Sequence, residues 1–319
     1  MSHKPAGLSH DPLWPRAGGW PAPDELAPGK RIDAALVGIP ASQTSLSATN
    51  AHETPDAIRA ALYRYSPALM QDRGVLEKNL RNDPAIIDLE ELTVADFGNV
   101  IDPDSPAGEA RTIALMADAA KASDLVLALG GDNSITVAAA LGVWGSDLES
   151  AGLITLDAHY DLRDGVSNGS PVRRLIEAGM NPERIVQIGI QDFANSVSYA
   201  RRAQELGITV IHRDDLERRS MAEVMAEALS IAGSAGGPIH VDLDVDVCDR
   251  AVAPACPASV PGGISAYQLR QAARAAGKHP QVHSIDIAEI DATMDAPDGR
   301  TIRLAALCVL EAVAGLSQR

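Results

Sequence analysis

The sequence is short of positive charge and of cysteine, and it has no long apolar run. Its 319 residues carry 27 Lys and Arg against 43 Asp and Glu, a net charge of −16, so we expect neither nucleic acid nor a membrane as a partner. Three cysteines without a CxxC pair argue against a disulfide framework and favour a reducing cytoplasm. No stretch predicts a membrane span or a signal peptide.

What the chain does have is apolar residues, 46% of the total, which is enough for one sizeable core. Short apolar runs alternate with segments of helical period. The runs are nearly continuous, as in parallel strands that are buried on both faces. This pattern predicts a three-layer α/β/α fold with a mostly parallel central sheet. The runs lie at residues 34–40, 125–131, 153–159, 185–190, 208–212, 239–246 and 282–290.

A stretch rich in Pro and Gly precedes this pattern. Residues 1–30 predict an irregular N-terminal arm, whereas residues 31–319 contain no repeat, low-complexity tract or linker. We therefore predict a single domain over residues 31–319. The composition of the arm is compatible with a loose segment and with one that packs against a neighbouring subunit.

Polar side chains follow four of the predicted strands. Ligands of open α/β sheets bind beyond the carboxyl ends of the strands, so we expect these side chains to meet at one edge. Burying so many carboxylates without a cation would be very costly, and the pattern therefore predicts a metal site. The residues concerned are Asp132, Asn133, Asp157, His159, Asp161, Asp244, Asp246 and Glu289.

The mixture of side chains indicates which metal to expect. Carboxylates with a single imidazole favour Mn²⁺ or Mg²⁺ over a thiolate-type zinc site. At an extended strand end, Asp157, His159 and Asp161 share one face, and so do Asp244 and Asp246. Two such clusters are enough for two ions that share carboxylates and activate water for hydrolysis.

Five motifs in this order resemble those of the ureohydrolases, a family that includes arginases, agmatinases and formimidoylglutamases. The resemblance extends over about residues 34–315 and implies an arginase-like catalytic domain. Within the family, the segments "NGSPVRRLIEAG" and "VQIGIQDFANS" look more like formimidoylglutamases than arginases. The motifs are "GGDNS" (130–134), "DAHYD" (157–161), "NGSP" (168–171), "DLDVDVCDRAVAPACPASVPGG" (242–263) and "DIAEIDATMD" (286–295).

The resemblance implies a role for each matching residue. Asp157 and Asp244 would bridge two manganese ions, and Glu289 would pair with the amidine-type cation of the substrate. Asp161 would also orient the hydroxide that attacks the C=N carbon. One ion's shell would be completed by His159 and Asp246, and the other's by Asp161 and Asn133.

Two asparagines depart from the family pattern. Asn133 stands where most members have a histidine ligand, so this metal site is expected to be weak or empty. Asn168 stands where many members have a proton-shuttling histidine, and it has no acid or base chemistry, although it can hydrogen-bond a substrate. Three readings stay open, namely ordinary variation on a working site, a one-metal enzyme, and a non-catalytic metal-binding homologue.

The loop after "DAHYD" carries arginines that bear on the substrate. Arg163, Arg173 and Arg174 could bind a substrate carboxylate through the bidentate fit of guanidinium. N-formimino-L-glutamate has two carboxylates, and the resemblance favours its cleavage to L-glutamate and formamide in histidine degradation. A guanidino-acid hydrolase or an agmatinase-like enzyme is the alternative. The resemblance also implies a homo-oligomer.

Overall fold

A computed structural model describes residues 7–70 and 86–319 of the chain. Its centre is an eight-stranded sheet in which every pairing is parallel. The strands are β1 (Ile32–Ile39), β4 (Val94–Asn99), β5 (Ser123–Gly130), β6 (Gly152–Leu156), β7 (Ile185–Ile190), β8 (Thr209–His212), β9 (Ile239–Asp244) and β10 (Val282–Ala288). A separate antiparallel pair is formed by β2 (Ala68–Met70) and β3 (Ile86–Asp88).

Strands β6, β7 and β9 are buried along their whole length, as their nearly continuous apolar sequences predict. Helices cover both faces of the sheet, which confirms the predicted three-layer α/β/α fold. One layer contains α2 (Pro106–Ala122), α3 (Ile135–Trp144), α4 (Pro171–Ala178) and α5 (Val197–Leu206). The other contains α1 (Thr54–Leu62), α6 (Met221–Ala232), α7 (Ala266–Lys278) and α8 (Arg300–Leu316).

The order of the strands decides where the polar motifs meet. Across the sheet the order is β4-β1-β5-β10-β9-β6-β7-β8. The strands that lead into Asn133, Glu289, Asp244 and Asp157 are therefore β5, β10, β9 and β6, which are four consecutive neighbours. Since all of them run in the same direction, their carboxyl ends form one continuous edge, and the polar residues lie along it.

Part of the N-terminal segment lies against the domain. Ala17 is buried, and its N–H donates to the carbonyl of Tyr65 at 2.9 Å. The carbonyl of Pro21 accepts a hydrogen bond of 2.9 Å from the N–H of Asp96 on β4. Residues 1–6 of the predicted arm lie outside the described residues. Within the described ranges, no helix combines the length and the apolar character that crossing a membrane requires.

Candidate metal centre

Among the described residues, Asp157, His159 and Asp246 form a compact group of ligand-type side chains. One ligand atom from each lies within 4.8 Å of the others. His159 Nδ1 is 2.6 Å from Asp246 Oδ2 and 3.4 Å from Asp157 Oδ1. Asp157 follows β6, and Asp246 lies in the short turn after β9, so two adjacent strands bring the group together.

Backbone donors hold these carboxylates in place. The N–H of Ala158 donates to Asp246 Oδ1 at 2.9 Å, and the N–H of Asp246 donates to Asp244 Oδ1 at 2.8 Å. Asp157 Oδ2 is buried and has no hydrogen-bond partner among the described residues. Because buried carboxylate oxygens are normally satisfied, this oxygen and the oxygen-rich set around it fit a divalent cation.

Two further predicted ligands, Asn133 and Asp161, are also in contact. Asp161 has a positive φ of 52°, and its Oδ2 accepts a hydrogen bond of 2.8 Å from Asn133 Nδ2. Asn133 Oδ1 accepts from the hydroxyl of Thr136 at 3.1 Å. The amide therefore presents its N–H to Asp161, so this side of the centre fits a cation less well than the group around His159.

Glu289 lies beside this pair at the end of β10. It is buried and has a φ of 63°. Its Oε2 accepts from the N–H of Asn133 at 2.9 Å, and Asn168 Nδ2 is 3.0 Å from each of its two oxygens. The structure thus brings Glu289 and Asn168 together at the centre, with the asparagine as hydrogen-bond donor to the acid.

The electrostatics of the protein side chains at this centre reflect the crowding of acids. Burial raises the pKa of Asp157 to about 7, and the charge of Asp246 adds to this shift. Burial and neighbouring acids also raise the pKa of Asp161 and Asp244 well above the usual range. Burial opposes the protonation of His159, but Asp246 and Asp157 outweigh it and raise the pKa of the imidazole. A cation would offset the repulsion among the acids.

We expect the metal-free protein to lose stability as the pH rises from about 4 to about 7. The folded-state pKa of Asp157 lies above its ordinary value of 3.8, so the folded state binds more protons than the unfolded state in this window. The pKa of His159 is also raised in the folded state, so this residue too binds at least as many protons in the folded as in the unfolded protein between about pH 4 and about pH 7. It therefore does not reverse the expected loss of stability. Melting temperatures of chelator-treated protein measure the effect.

An Asp157→Asn variant supplies the control for this pH dependence. Its melting temperature should depend less on pH, since the amide cannot ionise. Adding Mn²⁺ to the native protein should stabilise it more at about pH 8 than at about pH 5, because binding to the carboxylates releases protons. A pH-independent melting temperature in the chelator-treated native protein would contradict the expectation.

The centre opens into a cavity of about 440 Å³, and one of the residues that line this cavity is a candidate for binding the substrate. Arg163 lines this cavity together with His159, Asn168 and Glu289. Its side chain is exposed, and among the described residues its guanidinium makes no ion pair or hydrogen bond. A cation of this kind at the mouth of an acidic site suits a ligand that carries a carboxylate.

The other two predicted arginines are engaged elsewhere. Arg173 Nε donates to the carbonyl of Arg163 at 2.6 Å, and its guanidinium pairs with Glu177. Arg174 Nη2 makes bonds of 2.9 and 2.8 Å to the carboxylate of Glu109. Neither residue lines the cavity of the metal centre, and both guanidinium groups are bound to other partners.

Two residues that sequence reasoning did not single out also shape the site. Asn195 accepts from the N–H of Tyr160 at 3.2 Å and donates to the carbonyl of Ala158 at 2.8 Å, and so it anchors the loop that carries His159. Phe193 lines the cavity, is fully exposed and has a φ of 62°. Both lie in the "IQDFANS" segment, whose only signal was the family resemblance.

Comparison with known proteins agrees with this geometry. The chain matches the model of the Arginase family over residues 32–315. The formimidoylglutamase of Halalkalibacterium halodurans is 33% identical over 297 residues, which cover 90% of this chain and 88% of that protein. The guanidinopropionase of Pseudomonas aeruginosa is 29% identical over 263 residues, 77% of this chain and 80% of that protein.

Solved structures give the same result. The formimidoylglutamase of Bacillus subtilis superposes with a TM-score of 0.83 at 27% identity, and the match covers 98% of this chain and 96% of that one. The chain therefore belongs to the arginase family, which confirms the predicted resemblance to ureohydrolases. It is a hydrolase with the arginase fold.

Proposed function

We propose that this protein is a manganese-dependent formimidoylglutamase, which hydrolyses N-formimino-L-glutamate to L-glutamate and formamide. The carrying observation is that one cavity is lined at its base by metal-type ligands and Glu289 and at its mouth by the exposed Arg163. The substrate joins a cationic formimino group to two carboxylates, of which the γ-carboxylate lies at the far end of the molecule. The formimidoylglutamases among the relatives support the same substrate.

Manganese would be held by the residues that fit a cation. Asp157, His159, Asp244 and Asp246 would hold manganese on one side of the centre, and Asp161 and Asn133 would contribute to a second position. When bound, manganese supplies a Lewis acid and makes a water nucleophilic near neutral pH. The Asn133 side is the weaker one, since its amide now donates to Asp161.

The protein's own side chains would position the substrate and move protons. Glu289 accepts N–H bonds from the formimino cation and places its carbon toward the acids, while Arg163 binds a carboxylate at the far end. Asp161 orients the attacking water and accepts its proton. The C–N bond to the glutamate nitrogen then breaks and the proton passes to that nitrogen, so that formamide and L-glutamate leave. Asn168 holds Glu289 and does not transfer protons.

An Asn133→His substitution should strengthen the second metal site. Imidazole is a better ligand than an amide oxygen for divalent transition metals, and it removes the amide N–H that now donates to Asp161. We expect the Mn²⁺ content after dialysis to rise and the metal-induced increase in melting temperature to grow. Thr136→Val is the matched control, because it removes the hydroxyl that donates to Asn133 without adding a ligand. Equal metal content in Asn133→His and native protein would contradict this assignment.

A guanidino-acid hydrolase is the second candidate. The guanidinopropionase of Pseudomonas aeruginosa is 29% identical to the chain, and a guanidino acid also joins a planar cation to a carboxylate. An agmatinase-like activity has less support, since a substrate without a carboxylate gains nothing from Arg163. The comparison of formimino and guanidino acids as substrates therefore distinguishes the leading candidate from the second.

The test is release of formamide from N-formimino-L-glutamate by protein preincubated with Mn²⁺, with metal-stripped protein as the control. Manganese-dependent turnover, faster than that of guanidino acids, would support the proposal. Turnover of a guanidino acid alone would replace it with the second candidate. No turnover of either class by folded, manganese-loaded protein would favour a non-catalytic metal-binding homologue.

A further inference from the structure

The loop between β1 and α1 is tied to a residue that lies outside the metal centre. The carboxylate of Asp104 accepts two hydrogen bonds of 2.9 Å through Oδ1, from the N–H groups of Ser42 and Gln43. Asp104 does not line the cavity of the metal centre but lines a separate one beside Arg174. A side-chain oxygen that accepts from two successive backbone N–H groups fixes the start of this loop.

The same loop holds Asn168 in a defined orientation. The N–H of Leu46 donates to Asn168 Oδ1 at 3.0 Å, and the N–H of Asn168 donates to the carbonyl of Thr44 at 3.3 Å. Because a backbone N–H must meet an oxygen, the amide nitrogen of Asn168 has to face the other way. It faces Glu289 and is 3.0 Å from each carboxylate oxygen.

We propose that Asp104 and Asn168 are positioning residues that act in series, through the segment 42–46, to fix the carboxylate of Glu289. This inference rests on the proposed function only in so far as Glu289 faces the substrate. Asn168 does not transfer protons. Its side-chain amide donates to the carboxylate of Glu289 and fixes the rotation of that carboxylate about its terminal bond. The remaining acceptor positions of Glu289 then stay open toward the cavity that it lines.

The order of these contacts predicts how the effects of single variants on kcat/KM combine in a double variant. Asp104→Ala and Asn168→Ala should each lower kcat/KM by about three- to tenfold, the range expected when one net hydrogen bond of positioning is lost. The double variant should be no slower than Asn168→Ala alone, because both changes release the same acid. Asp104→Asn keeps an oxygen acceptor and should recover most of the activity. Asp118→Ala, an exposed acid on α2, is the matched control and should match the native protein.

Hydrogen–deuterium exchange of manganese-loaded, substrate-free protein tests the same inference without turnover. Asp104→Ala should speed exchange in residues 42–46. Both Asp104→Ala and Asn168→Ala should speed exchange of the Asn133 N–H, which donates to Glu289 Oε2. Once the Glu289 carboxylate is free to rotate, this hydrogen bond should protect the N–H less. A protein with no activity on any amidine would defeat the proposed function and leave this test intact. Unchanged exchange at Asn133 in both variants, or strictly additive kinetic losses, would overturn the proposal.

Discussion

Replacing Asp244 by asparagine should abolish manganese-dependent turnover while the metal-free protein becomes more stable. Asp244 is buried at the end of β9, and its Oδ1 accepts from the N–H of Asp246, a contact that an amide oxygen can keep. The lost charge is the one expected to bind the cation. Outer partners of metal ligands already affect affinity or activity by about ten- to a hundredfold, so loss of a ligand should exceed about a hundredfold.

The gain in stability follows from the crowding of acids. Burial raises the pKa of Asp244, and the charges of Asp246 and Asp157 raise it further, so each additional negative charge destabilises the metal-free fold. Without that charge, the melting temperature in chelator should rise, and the increase on adding Mn²⁺ should shrink.

Asp242→Asn is the matched control for this substitution. It changes a buried acid two residues earlier on the same strand that has no assigned role as a ligand. This variant should retain metal dependence. If Asp244→Asn melted lower in chelator and lost activity to the same extent as Asp242→Asn, the assignment of Asp244 as a metal ligand would be untenable.

The fold followed from the sequence because its signals are local. Short apolar runs such as 153–156 predict strands that are covered on both faces, and their alternation with helices favours parallel pairing. The order β5-β10-β9-β6 could not be predicted from these signals. It depends on how the layers pack, and yet it is what makes the four polar strand ends neighbours.

The same distinction applies within the site. The short spacing of Asp157, His159 and Asp161 was readable, but the expectation that an extended strand end aligns them on one face was wrong. β6 ends at Leu156, and Asp161 has a φ of 52°. The contact between Asn168 and Glu289 joins residues 121 positions apart, and the hold of Asp104 on Ser42 joins residues 62 positions apart. No local pattern encodes such pairs. For Arg163, Arg173 and Arg174 the sequence offered three equivalent cations, and only the partners formed by the folded chain separate them.

Replacing Arg163 by alanine should raise KM for N-formimino-L-glutamate by about tenfold and change kcat less, since a charge-assisted hydrogen bond contributes about 1.5–3 kcal/mol and exposure reduces this. The guanidinium is exposed and lines the same cavity as Glu289. The KM of Arg163→Lys should lie between those of the native protein and Arg163→Ala, because an ammonium group keeps the charge and loses the bidentate fit. Steady-state kinetics at low and high salt measure the effect, which should diminish as the salt concentration rises.

Arg174→Ala is the matched control, because Arg174 is already paired with Glu109 and should not affect KM. A substrate analogue sharpens the test. For a formamidine without a carboxylate, native protein and Arg163→Ala should have equal kcat/KM, since the analogue offers Arg163 nothing to bind. If Arg163→Ala lowered kcat/KM equally for both substrates, Arg163 would act on the shape of the loop, and the basis for preferring a carboxylate substrate would be lost. If only the carboxylate substrate is affected, the arginine at the mouth and the acid at the base together define which amidines the enzyme accepts.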